Sequence, residues 1–467
     1  MTGIKAPSRH TAPETRADID ELRAFLTSHP EIEAFDLLLA DSNGVLRGKS
    51  VRRHEVESIY ENGRLLPSSI LGLDVSGQDV DETGLVWSNG DADQCAWPLP
   101  ASLVPAPWTD PPKGQFRVGM HQSDGTPIMA DPRHVLLRQV DALAAQGFRA
   151  LLAFELEFYL VESSSDDTAR PIPAALPLAG ERPSDIHAYS IEELDRLEPF
   201  TRDLYRAAVA QRLPVETLIS EYAPGQFELT LRYREALQAA EDLIALKHLL
   251  RGIARRHGMR ACFMAKPLPD RAGSGMHVHA NFCDLEGHNL FDDRDGMLSP
   301  MLLHAIGGLL DKMDESMLVM APHRNSWSRF AAQSYAPTNR NWGINNRGVA
   351  VRVPAGSPES RRLEQRMAGV DANPFLVATV TLAAMAHGIA LRSDPGAPAE
   401  GDGSAGTTTG MPRSWAEAIE RAEGSDFLKS ALGETMHRVF LAVKQAEAAR
   451  FATYVSPLEY QLYLDTV

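Results

Sequence analysis

Two histidines separated by one residue, His277 and His279, follow a glycine-rich stretch and suit a metal or phosphate site. Alternate side chains of a β-strand point to the same face, so a strand beginning at His277 would present both imidazoles to one cleft. Gly273 and Gly275 would let the backbone before this strand turn tightly. A structural pair of core histidines fits the same pattern, so other residues must decide between the two interpretations.

Carboxylates supply a second group of candidate ligands. Glu155 and Glu157 alternate within the apolar run from Ala153 to Leu160, so on a strand both face one way. Two carboxylates that point into an interior repel each other unless a cation lies between them. An edge strand with its acidic face in water is the alternative, and the flanking apolar residues disfavour it.

A third cluster of acids surrounds the turn at Pro224 and Gly225. Glu221 and Glu228 lie on either side of this turn, and Glu216 precedes them in the same run. Carboxylates and an imidazole that converge in one cleft are ligands that proteins use for Mg²⁺ or Mn²⁺. The three clusters together therefore predict a divalent-metal site.

Arginines accompany these acids. Arg362, Glu364 and Arg366 share one face of a predicted strand, a pattern that taken alone is most typical of a surface ion-pair ladder. Further arginines in loop-like surroundings are Arg329, Arg347 and Arg352. Several arginines beside metal-binding carboxylates suit a ligand that carries phosphates and carboxylates.

The composition limits the partners of the chain. Its 467 residues are 44% hydrophobic, which is ample for a large core, and its net charge of −16 argues against nucleic acid and anionic membranes as partners. Cys95, Cys262 and Cys283 lack metal-type spacing and are typical of reduced thiols in a cytoplasmic protein. We find no run of about 18 apolar residues that predicts a membrane span, and the stretch from Met1 to Arg16 lacks the apolar core of a signal peptide.

The sequence pattern also predicts the elements that must position these side chains. Strands are predicted at residues 35–39, 151–161, 227–231, 261–264, 277–282, 349–353 and 363–366. Helices are predicted at residues 18–28, 131–147, 234–257 and 426–450, and others begin at Ser190, Ser299, Asn373 and Ser414. Glu193 is expected to complete a capping box with Ser190. The stretch from Gly44 to Ser50 has three residues between its glycines, where a phosphate loop needs four, and fits a hairpin better.

The same pattern predicts three regions. We expect a loose arm at residues 1–17, an N-terminal domain at residues 18–128 and a C-terminal domain at residues 129–467. Residues 62–118 indicate a small sheet with long loops. Residues 394–410 are rich in Gly, Ala and Thr and are expected to form a mobile loop.

From about Phe35 to Val467 the chain resembles the glutamine synthetase family, of the type I-like kind. Six segments in matching order carry this resemblance, and their order and spacing together are very specific. They are Asp41–Lys49, Phe154–Phe158, Glu221–Glu228, Gly273–His279, Asn346–Pro354 and Arg362–Arg366.

The resemblance implies ATP as a co-substrate and two to three Mg²⁺ or Mn²⁺ ions per site. It implies one ion on Glu157, Glu221 and Glu228, and a second on Glu155, His277 and Glu364. It implies ATP contacts from Glu216, Tyr233, His279, Asn281 and Arg362. It implies glutamate contacts from Gly273, Arg329 and Arg366, with Arg347 and Arg352 facing the transferring phosphate as catalytic residues.

The resemblance also implies the fold and the assembly. The expected fold is α+β, with a small N-terminal β-grasp domain and a large C-terminal catalytic domain made of a curved antiparallel sheet and helices. The expected assembly is a homo-oligomer, a dodecamer of two stacked hexameric rings, with the stretch from Tyr454 to Val467 and the Gly-rich loop as candidate contacts.

The chain departs from ammonia-using members of this family at two acids. Those members carry an Asp in a segment that here reads Leu65 to Ile70, without an acid, and a Glu where this chain has Tyr335. Ala272 and Glu359 are further departures, from an Asn that touches glutamate and from a Lys near the nucleotide. Loss of the two acids removes the fixed anions that would capture and deprotonate ammonium, and opens space for an organic group.

The segments at residues 335–339, 342–343 and 72–77 look like the γ-glutamylpolyamine branch of the family, which includes γ-glutamylputrescine synthetase. Tyr335, Trp327 and Trp342 would then line an amine pocket, since aromatic faces attract alkylammonium groups. Tyr335 is also predicted to be a catalytic residue, with Arg347 and Arg352. Plain packing of these aromatic residues is an equally weighted alternative.

The sequence therefore predicts an ATP-dependent ligase that joins the γ-carboxyl group of glutamate to an organic amine. A polyamine such as putrescine is favoured, and a monoamine such as ethanolamine is the next choice. The alternatives are an ammonia-using glutamine synthetase and a non-catalytic regulator or scaffold of the same family. The sequence does not identify the amine, the group that deprotonates it, or the choice between Mg²⁺ and Mn²⁺.

Overall fold

The structure, a computed structural model, describes residues 10–164, 170–292, 296–330, 334–405 and 410–467. Two β-sheets and the helices packed on them form the described part of the chain. The strands are β1 Ala34–Ala40, β2 Leu46–Arg52, β3 Arg64–Pro67, β4 Asp93–Pro98, β5 Val104–Ala106, β6 Lys113–His121, β7 Arg149–Glu162, β8 Val215–Ser220, β9 Gln226–Leu231, β10 Arg234–Glu235, β11 Met259–Cys262, β12 Met276–Cys283, β13 Trp342–Ile344, β14 Val351–Val353 and β15 Leu363–Gln365. The α-helices are α1 Ile19–Ser28, α2 Arg53–Asn62, α3 Pro132–Ala144, α4 Ile191–Arg196, α5 Glu198–Ala210, α6 Ala236–Arg256, α7 Pro300–Asp311, α8 Met313–Met320, α9 Pro374–Leu391, α10 Trp415–Glu423, α11 Asp426–Ala452 and α12 Pro457–Tyr463.

The first sheet lies in the N-terminal part of the chain. Its strands run in the order β2-β1-β6-β4-β3, with β5 paired to β6. Alternate residues of β1, Phe35, Leu37 and Leu39, are buried, and Leu22 of α1 and Ile59 of α2 belong to the same core. This alternation is expected of a strand with one face on a core. The hairpin predicted for the segment from Gly44 is confirmed, because β1 pairs antiparallel with β2.

The second sheet positions the candidate chemistry. Its strands run in the order β13-β14-β15-β12-β7-β9-β8, and β10 and β11 also pair with β7. The 14-residue strand β7 therefore contacts four other strands, β9 to β12. The pairings of this sheet are antiparallel apart from β13 with β14, which is parallel. The predicted α+β fold with an N-terminal β domain is thus confirmed, with that one parallel pair as the difference.

The two faces of β7 have different roles. Its apolar residues between Leu152 and Phe158 alternate into the core, whereas Glu155 and Glu157 point to the opposite face. The apolar face belongs to the same core as helices α6 and α9. Since β7 is an interior strand, the alternative of an edge strand with its acids in water is excluded.

Helix α9 is apolar on all sides because it lies inside this core. By length and composition alone it could cross a membrane, with 18 residues of mean hydropathy 1.7, but 67% of the helix is buried inside the protein. The sequence predicted no membrane span, so a helix that meets these criteria differs from prediction. A core helix of a globular domain has the same composition as a membrane span.

Most predicted helix starts are confirmed by their caps. The side chains of Asp131, Ser299, Asn373 and Ser414 each accept a hydrogen bond from a backbone N–H of the first turn. These bonds satisfy donors that a helix leaves unpaired at its start. Ser190 caps α4 in the same way, but Glu193 does not complete the capping box, because its carboxylate binds the hydroxyl of Ser220 instead.

Helices α2 and α12 were not predicted, and three further elements differ from prediction. β11 begins at Met259, two residues before the predicted start at Ala261. The predicted final helix is interrupted at Gly433, whose φ of 78° is not helical. Helix α5 was not predicted. Residues 1–9 of the arm predicted at residues 1–17, and residues 406–409 of the mobile loop predicted at residues 394–410, lie outside the described residues. The division into domains at residue 128 stays a prediction.

Candidate active site

Strand register brings the candidate ligands together on the second sheet. His277 lies opposite Glu155 on β12 and β7, and His279 lies opposite Glu364 on β12 and β15. Glu228 of β9 lies opposite Glu157 of β7. Directly opposite residues of antiparallel strands share one face of the sheet. Four neighbouring strands, β9, β7, β12 and β15, thus deliver acids and imidazoles to one surface.

Glu155 is the centre of this group. Its Oε2 atom lies 3.1 Å from Nδ1 of His277, and its Oε1 atom lies 2.7 Å from Nε2 of His279. His277 is also 3.9 Å from Glu157 and 3.8 Å from Glu364, measured between nitrogen and oxygen atoms. Both imidazoles are buried. Because both rings face carboxylates, the structure favours a ligand site over a structural pair of core histidines.

Two sets of ligand atoms are close enough to share a cation. Glu155, Glu228 and His277 form one set and Glu155, His279 and Glu364 form the other, with all atoms of a set within 4.8 Å of one another. Oxygen and imidazole donors of this kind suit Mg²⁺ or Mn²⁺, so the residues present fit a divalent metal centre. The sets differ from the implied division: Glu155 belongs to both sets, and His279 takes the place of His277 beside Glu364. Glu157 and Glu221 belong to neither set. The division implied by the family resemblance stays a prediction.

The electrostatics of the carboxylates also fit a cation. Burial and the neighbouring Glu157 raise the pKa of Glu221 to about 7. Burial, together with Glu155 and Glu157, raises the pKa of Glu228 to about 9. Carboxylates gathered away from water resist ionisation unless positive charge compensates them, so this half of the site favours a bound cation.

The other half of the site is compensated by the protein itself. Burial acts to raise the pKa of Glu155, but hydrogen bonds with His277 and His279 outweigh it and hold the pKa below its usual range. Burial likewise opposes ionisation of Glu364, but Arg366 and His277 prevail and lower its pKa to about 2. Both carboxylates are therefore ionised at neutral pH.

The buried carboxylate of Glu364 is held by two arginines. It accepts a hydrogen bond from Arg352 at 2.8 Å and a second one from Arg366. Its side chain has no exposed area. The surface ion-pair ladder favoured for this stretch is therefore wrong, because strand β15 lies inside the sheet. Asn345, which the sequence did not suggest, orients Arg352 by accepting a hydrogen bond at 3.0 Å.

Arg329 is buried behind the glycine-rich segment. It donates to the backbone carbonyls of Met367 at 2.8 Å and Arg366 at 3.1 Å. A Cβ atom added to Gly273 would lie 2.8 Å from the side chain of Arg329, and one added to Gly275 would lie 2.7 Å from it. These distances are too short for a side chain. The glycines thus serve the close approach of an arginine, whereas a tight turn was the expected reason.

Two residues that the sequence did not suggest hold the glycine-rich segment in place by hydrogen bonds. Tyr159 donates from its hydroxyl to the carbonyl of Ala272 at 2.7 Å, and Gln226 donates to the carbonyl of Gly273 at 2.9 Å. Both side chains are buried on strands β7 and β9. Only the pairing of these strands, which the sequence does not give, places them beneath the segment.

A cleft with a volume of about 790 Å³ opens in front of this sheet face. Among the predicted residues, its lining includes Glu157, Glu221, His277, Gly273, Arg329, Tyr335 and Arg347. The described lining also includes Tyr222, whose ring centroid lies 6.1 Å from that of Tyr335 in an edge-to-face arrangement. Tyr222 was not predicted, although its position next to Glu221 could have suggested it. The cleft is large enough for a small organic substrate.

Two of the three aromatic residues predicted for the amine pocket lie elsewhere. The indole N–H of Trp327 donates to the carbonyl of Ala321 at 3.0 Å, and that of Trp342 donates to the carbonyl of Gly396 at 3.1 Å. Both side chains pack against the main core and neither belongs to the described lining of the cleft. For Trp327 and Trp342 the structure thus favours the packing alternative, and Tyr335 remains in the cleft.

The residues predicted to contact a nucleotide divide into two groups. His279 and Asn281 alternate on β12 with His277, and Arg362 lies 3.0 Å from Nδ1 of His279. Glu216 and Tyr233 are exposed at the other end of the sheet, on β8 and beside β10. The first group lies beside the candidate metal ligands, whereas Glu216 and Tyr233 lie apart from them. The nucleotide contacts assigned to Glu216 and Tyr233 therefore stay predictions.

Comparison with known proteins gives consistent results. The family model described as glutamine synthetase, catalytic domain, matches residues 129–463. The chain is 34% identical over 445 residues to the gamma-glutamylputrescine synthetase PuuA of Escherichia coli (strain K12), with 95% of this chain and 94% of that protein covered. It is 31% identical over 443 residues to the gamma-glutamylethanolamide synthetase GlnA4 of Streptomyces coelicolor, with 94% of each covered. A solved GmaS/ADP complex has a TM-score of 0.79 and 28% identity, covering 95% of this chain and 99% of that one.

Proposed function

Because the chain belongs to the glutamine synthetase family, we propose that it is an ATP-dependent ligase that joins the γ-carboxyl group of glutamate to an organic amine. One observation carries this proposal. The register of β7, β12 and β15 places Glu155, His277 and Glu364 around one point, in front of a cleft lined by arginines. Carboxylates that hold cations, together with arginines, are what phosphoryl transfer to a carboxylate needs.

The proposed reaction has two steps. An oxygen of the γ-carboxylate attacks the γ-phosphorus of ATP, the bond to the bridging oxygen breaks, and ADP leaves with γ-glutamyl phosphate remaining. The amine nitrogen then attacks the acyl carbon and the carbon–oxygen bond to phosphate breaks. The nitrogen loses a proton, and the products are the γ-glutamyl amide and inorganic phosphate.

The arginines of the site have separate tasks in this reaction. Arg329 lies beside Gly273 in the lining of the cleft, and it is bonded to the backbone carbonyl of Arg366; these two arginines would bind and orient glutamate. Arg347 lines the open part of the cleft and would offset the charge on the transferring phosphate. Arg352 is held by Glu364 and Asn345, so its guanidinium is fixed in advance of binding.

Enzymes of this family use ATP and divalent metal ions. Here Glu155, Glu157, Glu221, Glu228, His277 and Glu364 would hold two to three Mg²⁺ or Mn²⁺ ions. When bound, such ions offset negative charge on phosphate oxygens. The raised pKa values of Glu221 and Glu228 support this assignment, because bound cations would restore their charged forms.

An organic amine is favoured over ammonia for two reasons. The rings of Tyr335 and Tyr222 line the cleft, whereas ammonia-using members carry a Glu at the position of Tyr335. Aromatic faces bind alkylammonium groups, and Tyr335 offers no anion for ammonium at the position where ammonia-using members have one. In addition, the names of the two curated relatives describe ligases of glutamate with putrescine and with ethanolamine. Among amines, we favour a polyamine such as putrescine.

Phosphate release tests this function. Purified protein would be assayed with ATP, Mg²⁺ and glutamate against a panel of ammonium, ethanolamine, simple monoamines, putrescine and spermidine. We expect release with organic amines and little with ammonium. Release chiefly with ammonium would instead identify an ordinary glutamine synthetase. No release with any amine, despite binding of metal and nucleotide, would identify a non-catalytic member of the family.

The assembly and the compartment are also proposals. The last residues, from Tyr454 to Val467, expose a run of large apolar side chains: Tyr454, Val455, Leu458, Tyr460, Leu462, Tyr463, Leu464 and Val467. A patch of this kind is typical of an interface. We propose that the tail joins copies of the chain in a dodecamer of two stacked hexameric rings, in the cytoplasm.

A further inference from the structure

Residues 401–404 of the Gly-rich segment from Gly396 to Ala405 form a wall of the cleft, and asparagine side chains hold the segment in place. Asn341 donates to the carbonyl of Gly403 at 2.7 Å, and Asn339 donates to the carbonyls of Gly403 at 3.3 Å and Ala405 at 3.2 Å. Asn346 adds bonds to the carbonyls of Gly401 and Ala399 on the same segment. A low-complexity stretch that the sequence marks as mobile is thus anchored in its described part.

Backbone contact fixes the same wall relative to Arg347. A Cβ atom added to Gly403 would lie 2.8 Å from the carbonyl group of Gly348, the residue after Arg347. A Cβ atom added to Gly348 would lie 3.3 Å from the backbone nitrogen of Gly403. The two glycines therefore allow the chains to touch. Side chains that this wall presents to the cleft are therefore held at a fixed position beside Arg347.

The wall presents one charged group to the cleft, the carboxylate of Asp402. Its Oδ1 atom accepts hydrogen bonds from the amide of Ser404 at 2.9 Å and from its hydroxyl at 2.6 Å. These bonds, that from the hydroxyl first, hold the pKa of Asp402 below its usual value. The side chain is therefore charged at neutral pH, and its direction is set by its own loop.

Asp402 differs from the other acids of the cleft in its partners. Glu157 and Glu221 belong to the candidate metal site. Asp270 is paired with Arg170, with 2.6 Å between nitrogen and oxygen. Across the described ranges of the chain, Asp402 takes part in no ion pair. It is thus the carboxylate of this cleft that is available to a cationic ligand.

We propose that Asp402 binds the distal ammonium group of a diamine whose proximal amine is γ-glutamylated. This inference rests on the proposed ligase function and narrows it to diamines and longer polyamines. The rings of Tyr222 and Tyr335 line the same cleft and suit the alkyl chain between the two nitrogens. A monoamine has no second cation and would leave Asp402 without a role in binding.

Kinetics with matched amines test the proposal. Putrescine and n-butylamine have the same four-carbon chain, and only putrescine carries a distal ammonium. We expect Asp402→Asn to lower kcat/KM for putrescine by about fivefold or more, the upper range for a solvent-exposed ion pair. The value for n-butylamine should stay unchanged. Glu400→Gln is the control, because Glu400 is exposed in the same segment but outside the cleft lining.

Three outcomes would overturn the assignment. An equal loss for both amines would show that Asp402 supports the loop or Arg347, and no loss for either would show that the distal ammonium binds elsewhere. A measurement on the unmodified protein guards against a folding defect in the variant. An ion pair is screened by salt, so the preference for putrescine over n-butylamine should fall as ionic strength rises. A preference unaffected by salt would also contradict the proposal.

The same experiment separates this inference from the function on which it rests. If the unmodified protein releases no phosphate with any organic amine, the ligase function itself fails. If it uses putrescine and n-butylamine equally well, and Asp402→Asn changes neither rate, the ligase function stands and only the role of Asp402 is lost.

Discussion

His277 lies directly opposite Glu155 on two adjacent antiparallel strands, with 3.1 Å between Nδ1 and Oε2. The pairing places an imidazole and a carboxylate side by side without help from any loop. A site built on paired strands is held more firmly than one built on loops. Substitutions at this pair should therefore change chemistry while leaving the fold intact.

The first prediction concerns His277→Ala. Loss of the imidazole removes a donor from one of the two candidate metal sets, so we expect weaker Mn²⁺ binding and loss of phosphate release. Titration of Mn²⁺ followed by electron paramagnetic resonance measures the first effect independently of turnover. His288→Ala is the control, because His288 is exposed and contacts only Asp284 among its described partners. Unchanged Mn²⁺ affinity in the His277 variant would contradict the assignment.

The second prediction concerns Gly275→Ala. The added methyl group would lie 2.7 Å from Arg329 and 3.1 Å from His277, so one of these side chains must move. We expect an increase in KM for glutamate together with a fall in kcat, measured by phosphate release. Gly424→Ala is a matched control, because its Cβ would meet nothing closer than 3.9 Å. If both variants behave alike, the close approach to Arg329 has no functional importance.

The third prediction concerns the choice between ammonia and organic amines. Tyr335 is 65% exposed and faces the cleft, so Tyr335→Glu would place a carboxylate there without disturbing a core. We expect the ratio of ammonium use to putrescine use to rise, because ammonium needs a fixed anion. Glutamine has nearly the same shape as glutamate but carries no charge, so Tyr335→Gln should not raise this ratio. A ratio that stays constant in the Glu variant would remove Tyr335 from the determinants of selectivity.

The fourth prediction concerns stability in acid. Burial, and next the neighbouring His134, lowers the pKa of His121 from 6.5 to about 4. The two rings lie 4.7 Å apart, with Asp131 and Arg133 beside them. Between these pH values the unfolded chain binds a proton that the folded protein refuses. The neutral imidazole of His121 therefore contributes its full stabilisation of the folded protein above pH 6.5. This contribution to the free energy of unfolding is lost as the pH falls toward 4, and it amounts to at most about 3 kcal/mol.

Urea unfolding measures this effect. His121→Gln cannot titrate, so its free energy of unfolding should fall less than that of the unmodified protein when the pH is lowered through this window. Equal losses in the two proteins would show that other groups account for acid sensitivity.

The fifth prediction concerns assembly. Removal of the residues after Thr453 takes away the exposed apolar side chains of the tail, including those of Leu458 and Leu464. We expect a smaller species in size-exclusion chromatography with light scattering than for the full chain. Removal of Val467 alone is the control. A full chain that is monomeric would contradict the ring assembly itself, and a truncated chain of unchanged size would exclude the tail as the contact.

Short-range signals in the sequence predicted much of this structure. Helix caps such as Asp131 and Asn373 act within a few residues, so their types alone mark where α3 and α9 begin. Strict alternation at Glu155 and Glu157 gave both the strand and the shared face of the two acids. In each case the determining contacts are local.

The wrong predictions concern side chains whose surroundings are set by residues distant in the sequence. The acid ladder at Glu364 has the pattern of a surface strand, and only the pairing of β15 between β12 and β14 buries it. Glu193 fits a capping box, but Ser220 from β8 offers its carboxylate another partner. Trp342 stands in a motif typical of amine ligases, yet its indole bonds to Gly396 across the loop. None of these partners can be read from spacing along the chain.

The alternation of β7 has a consequence for how this protein tolerates change. Its acids and its core residues occupy one strand on opposite faces, so a deletion of one residue before Glu155 would exchange the two faces for the rest of the strand. Both carboxylates would enter the core, and the leucine and phenylalanine side chains would enter the cleft. β7 can therefore accept exchanges of residue type more readily than any insertion or deletion, and its length is under as much constraint as its composition.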